Sequence, residues 1–138
     1  MAVELDISDL PDDIFIYRAN PYSMLVLYTF DWDRYLEGRD YFGMPEYDFE
    51  GAVMGMTTLF QHDETGVRSM LIFINPSEAN TVVHECAHAA LFIMNEIGHN
   101  PFDGHEPFVY LLEHMYDDIN NARIIWGINN GPSKDKAV

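Results

Sequence analysis

The last strand-forming run of this chain gives way to long helix-forming sequence at the tetrapeptide Asn75-Pro76-Ser77-Glu78. Asn is a good helix cap, proline brings a φ already set for a first helical turn, and the Glu follows the cap at capping-box spacing. Upstream, residues 53–62 and 67–74 are two β-rich runs joined by Asp63-Glu64-Thr65-Gly66, a short Gly-containing connection that predicts an antiparallel hairpin. An earlier hairpin is expected over residues 14–30, turning at Asn20-Pro21-Tyr22-Ser23. Asp31 or Asp33 can cap a short helix through Trp32, Tyr35 and Leu36, and residues 44–51 read as an acidic, aromatic loop. Downstream, one helix should carry Val82, Val83, Ala87, Leu91 and Met94 and stop at Gly98, with Pro101 just beyond. A second should begin near Pro107 and carry Phe108, Leu111, Leu112, Met115 and Ile119. Strands first and helices last predict an α+β domain, a mostly antiparallel N-terminal sheet followed by two helices.

Its 138 residues suit one domain, expected over 1–128, with a flexible tail over 129–138 around Gly131-Pro132-Ser133. Seven Lys and Arg against 23 Asp and Glu give a net charge of -16, which argues against direct nucleic-acid binding because phosphate contacts need cations. A hydrophobic content of 48% is too high for a disordered acidic chain. The single cysteine, Cys86, cannot pair within the chain, which favours an intracellular compartment. The first residues carry no basic flank or apolar run, and nothing approaches the ~18 apolar residues of a membrane span. A soluble, cytoplasmic protein is expected.

Within the first long helix stands His84-Glu85-Cys86-Ala87-His88. Residues i and i+4 share a helix face one turn apart, so both imidazoles can converge on one Zn²⁺ at ~2.0–2.1 Å. Glu85 lies about 100° round the helix, placed to act on a water at the metal without ligating it. A catalytic zinc normally takes three protein ligands. The downstream candidates are His99, Asp103, His105, Glu106, Glu113 and His114; Glu106 opens the second helix, and Glu113 holds about the same face two turns on. The Cys86 thiol points away from the two histidines, among Val83, Ala87 and Ala90, and reads as inert packing.

The motif with its flanks, residues 82–89, followed by His105-Glu106-Pro107-Phe108-Val109-Tyr110-Leu111, resembles the gluzincin-type zinc metallopeptidases. More closely, it is similar to small phage- and prophage-encoded H-E-x-x-H proteins, over about residues 54–120. The resemblance implies a minimal zincin fold with two active-site helices, a peptide or protein substrate, His84, His88 and Glu106 as zinc ligands, and Glu85 as general base. It implies residues 67–74 as an edge strand beside the cleft, able to take up an extended peptide. Tyr110, His105 and His114 are then the candidate oxyanion donors, and a phage origin would place the protein in a host cytoplasm.

A second reading comes from charge. Acidic residues such as Asp9, Asp12, Asp31, Asp33, Glu46 and Asp48 crowd residues 1–50 of the first half, opposed there only by Arg18, Arg34 and Arg39. Such a chain could occupy a basic protein surface as an inhibitor or nucleic-acid mimic, its metal site structural or vestigial.

Overall fold

The computed structural model describes residues 9–20, 22, 24–45, 54–61 and 68–130. Its elements run β1 (Phe15–Ala19), β2 (Met24–Thr29), α1 (Trp32–Tyr41), β3 (Gly55–Gln61), β4 (Arg68–Ile74), α2 (Ala79–Glu96) and α3 (Glu106–Asn130). This is the expected α+β order, with the sheet preceding the two long helices. The Asp63–Gly66 turn, most of the acidic loop (residues 46–51), Pro21 and Ser23 of the first turn, and residues 131–138 of the tail lie outside the described residues.

The sheet order is β1-β2-β4-β3, with antiparallel β1–β2 and β3–β4 pairs and a parallel β2–β4 pair at its centre. That parallel pair corrects one expectation: β4 is an inner strand, and the edge beside it is β3. The physical reason is side-chain chemistry. Met70, Leu71, Ile72, Phe73 and Ile74 are all buried, and a strand covered on both faces needs such an unbroken apolar run. β3 places Thr57, Thr58 and Gln61 among its apolar residues and tolerates one open edge.

Period-2 alternation divides the core between the two faces. Val26, Tyr28, Met70, Ile72 and Ile74 point to α2 and α3, where they meet Val82, Cys86, Ile93, Leu111, Met115 and Ile119. Leu27, Leu71 and Phe73 point to the other face, where α1 covers them with Tyr35. The Tyr35 hydroxyl lies 2.7 Å from Thr58 Oγ1, tying α1 to the edge strand. Among the described residues no helix is long and apolar enough to cross a membrane.

Asp31 caps α1 as expected, its Oδ1 accepting from the N–H groups of Asp33 at 2.9 Å and Arg34 at 3.2 Å. Asp31→Ala should therefore lower unfolding free energy by about 1 kcal/mol in urea titration, while Asp33→Ala, outside the cap, should be near neutral. The start of α2 differs from expectation. Asn75 still donates its backbone N–H to Met54 O at 2.8 Å, so it belongs to the sheet, and its side chain caps a turn by accepting from Ser77 N at 3.1 Å. The helix opens at Ala79 with Glu78 at the cap position and no side-chain cap bond. It ends as predicted, with Gly98 at φ 75° following Ile97.

Candidate metal centre

α2 lies across the sheet with Thr81, Val82, Glu85, Cys86, Ala89, Ala90, Ile93 and Met94 buried. These positions span just over half of the helix circumference, so His84 and His88 emerge at the margin where the helix surface meets solvent. Both imidazoles are exposed. Burial falls instead on Glu85, only 2% exposed, which faces the edge strand β3.

The Nε2 atoms of His84 and His88 are 3.2 Å apart. Two nitrogens bound to one tetrahedral zinc at ~2.0–2.1 Å would stand roughly 3.3–3.4 Å apart, so the pair is already set at close to ligand spacing. Ligand atoms of His84, Glu85 and His88 all lie within 4.8 Å of one another, and these three residues form a cluster able to hold a metal ion.

Glu85 Oε2 is buried without a hydrogen-bond partner. An orphaned carboxylate oxygen beside two converging imidazoles suits a site whose remaining partner is a bound water or substrate. Burial raises the Glu85 pKa above the ordinary carboxylate range, and the nearby His84 and His88 oppose that rise in part. Cys86, on the sheet side, is fully buried, and burial followed by the neighbouring Glu85 pushes its thiol up to about 12. It stays a protonated packing group, as the sequence suggested.

Two residues of β3 shape the site and were missed by sequence reasoning. A Cβ on Gly55 would stand 2.9 Å from Glu85 Cγ and 3.0 Å from both Glu85 Cδ and Thr81 Cγ2, distances that leave no room for it. The hydroxyl of Thr57, on the same face of β3, is also buried without a partner. The available signal was a glycine in a β-rich run, which marks close approach of another element. Gly55→Ala should cost about 1–3 kcal/mol in denaturant titration through overpacking against Glu85. In a Glu85→Ala background, where Cγ and Cδ are gone, the cost should fall to the part owed to Thr81 Cγ2.

Between these two elements lies a cleft of about 380 Å³ lined by Gly55, Thr57 and Leu59 of β3 and by His84, Glu85, His88 and Phe92 of α2. A roomier cavity of about 520 Å³ lies at the end of α1, lined by Arg39, Phe42, Pro45 and Phe60. It holds none of the clustered ligands.

The remaining predicted site residues are on or before α3. Glu106 is exposed in its first turn, where His105 accepts the backbone N–H of Val109 at 2.9 Å. Neither Glu106 nor Glu113 enters the three-residue cluster. Tyr110 is 55% exposed, and its ring centroid is 4.2 Å from that of His114. His99 Nε2 is 2.8 Å from Gly104 O and so serves the loop, while Asp103 is exposed. The Arg123 guanidinium donates to Pro76 O at 3.0 Å, tying the far part of α3 to the start of α2. With the helices antiparallel, equal rise from Glu96 and Glu106 puts about residues 114–118 of α3 level with His84 and His88.

Comparison with known proteins finds no family model, no curated protein and no solved structure that matches the chain. What is established is a His-Glu-x-x-His cluster suited to a metal ion on an α+β scaffold.

Proposed function

We propose that the protein is a zinc-dependent peptidase in which His84 and His88 hold the metal and Glu85 is the general base. The observation that carries this reading is the pairing of two Nε2 atoms 3.2 Å apart with a buried, unpartnered carboxylate oxygen on the adjacent residue. A structural zinc site would close its fourth position with another Cys or His, and the thiol nearest in sequence is buried on the sheet side. Zinc, when bound, supplies a Lewis acid that makes water a nucleophile near neutral pH and polarises the scissile carbonyl.

The chain's own residues do the proton work. Glu85 takes a proton from the attacking water as its oxygen adds to the carbonyl carbon, then delivers it to the amide nitrogen as the C–N bond breaks. A pKa raised by burial makes that carboxylate a better proton acceptor than an exposed one. Charge developing on the carbonyl oxygen needs a donor, and Tyr110 is the side chain of α3 proposed for it.

The third ligand is also assigned to α3. Glu106 is the residue the resemblance implies; Glu113, about 10 Å further along the helix axis, is the alternative. The substrate is a peptide or protein, taken as an added strand on the open edge of β3 in place of the role first expected of β4. The test is metal content together with hydrolysis: purified protein should bind one zinc and cleave peptides. Protein without a zinc site, or zinc-loaded protein inert on every peptide offered, refutes the reading.

A further inference from the structure

The cleft beside the His pair does not stop there. A second cavity of about 300 Å³, lined by Met54, Gly55, Asn80, Thr81 and His84, adjoins it, and the two share Gly55 and His84. The two cavities together follow α2 from Asn80 to Phe92 with the His pair between. That stretch is about 18 Å at helical rise, room for roughly five residues of extended chain.

We propose that this site acts on internal bonds of an extended polypeptide and not on chain ends. The inference rests on the peptidase reading and narrows its substrate class. An enzyme that removes terminal residues closes its cleft on one side and meets the terminal ammonium or carboxylate with an opposite charge. Here the cavities run past the His pair in both directions. Their described lining is neutral at the far ends, with Leu59 and Phe92 at one and Met54 and Asn80 at the other, and the charges one turn beyond Phe92, Arg68 and Glu96, are already paired to each other at 2.6 Å. A charged terminus placed against either end would give up hydration without a counter-charge, whereas a neutral peptide unit would not. The only carboxylate in the described lining is Glu85, the residue assigned to proton transfer. Leu59 is 47% exposed, leaving apolar surface to cover a substrate side chain.

The experiment uses the full chain loaded with zinc. It is offered an internally quenched peptide of about ten residues, acetylated and amidated at its ends, beside aminoacyl reporters and carboxy-terminal reporters. Cleavage sites are mapped by mass spectrometry. The capped peptide should be cut at an internal bond with kcat/KM at least roughly tenfold above either terminal reporter, the discrimination a few lost subsite contacts provide. Removal of terminal residues only, with the capped peptide intact, overturns this inference while leaving the peptidase reading standing. Zinc-loaded protein that cleaves nothing overturns both. A second arm uses Leu59→Arg, a change at an exposed position. It should lower kcat/KM for the long peptide roughly tenfold with zinc content unchanged, and an unchanged kcat/KM overturns the placement of substrate along β3.

Discussion

Glu85→Gln should reduce kcat/KM for peptide hydrolysis by about 10²–10⁴, the usual contribution of a general base, while zinc stoichiometry stays at the wild-type value. Glutamine keeps the shape of the side chain within the gap at Gly55 and cannot accept the proton. The same variant carries a stability signature with the opposite sign. In the metal-free wild type, burial raises the Glu85 pKa, so the folded state keeps this proton to higher pH than the unfolded chain does. Stability is then fully present below the ordinary carboxylate value and falls as pH rises through the raised one, because the native state binds more protons across that window. Glutamine does not titrate, so that part of the pH slope should disappear, leaving the variant more stable than wild type at neutral pH. Steady-state kinetics give the first quantity and urea titrations at a series of pH values the second. A variant that keeps wild-type kcat/KM removes Glu85 from the chemistry.

His84→Ala is the second large effect. It should abolish stoichiometric zinc binding and hydrolysis together, with little change in metal-free stability, because His84 is exposed. Zinc binds the native state, so at free metal 1,000-fold above Kd it should add about 4 kcal/mol to wild-type stability and roughly 10 °C or more to Tm. Chelator should bring the wild type down to the Tm of His84→Ala and leave that variant's Tm where it was. Thermal scans with and without chelator, beside metal analysis, read this directly. Zinc affinities of Glu106→Gln and Glu113→Gln, measured in the same way, tell which carboxylate of α3 completes the site.

Much of the architecture was legible because it is specified by local chemistry. Asp31 before Trp32 marked the start of α1, a run of β-formers after the Asn20–Ser23 turn marked β2, and Gly98 marked the end of α2. The start of α2 was misplaced for a tertiary reason: the capping side chain at Asn75 belongs to a residue whose backbone is still bonded to Met54 across the sheet. The edge strand was misassigned for a topological one, since β4 inserts beside β2 through a parallel pairing that hairpin reasoning does not reach. The unbroken apolar run Met70–Ile74 was the clue, as a strand of that composition needs cover on both faces.

The sequence by itself determined that His84 and His88 share one helix face with Glu85 beside them, because a fixed 100° per residue makes that arrangement a consequence of spacing alone. It also determined the order of sheet and helices through the change of hydrophobic period at Asn75. Only the tertiary structure decided which of the three site residues is buried, how close the imidazoles stand and which strand forms the opposite wall. Those depend on the approach of β3 to α2 between residues thirty positions apart, Gly55 and Glu85, where a missing Cβ lets a strand close over a carboxylate and leave one of its oxygens without a partner. No local pattern encodes such a contact, because its energy arises only once both elements are packed on the same sheet.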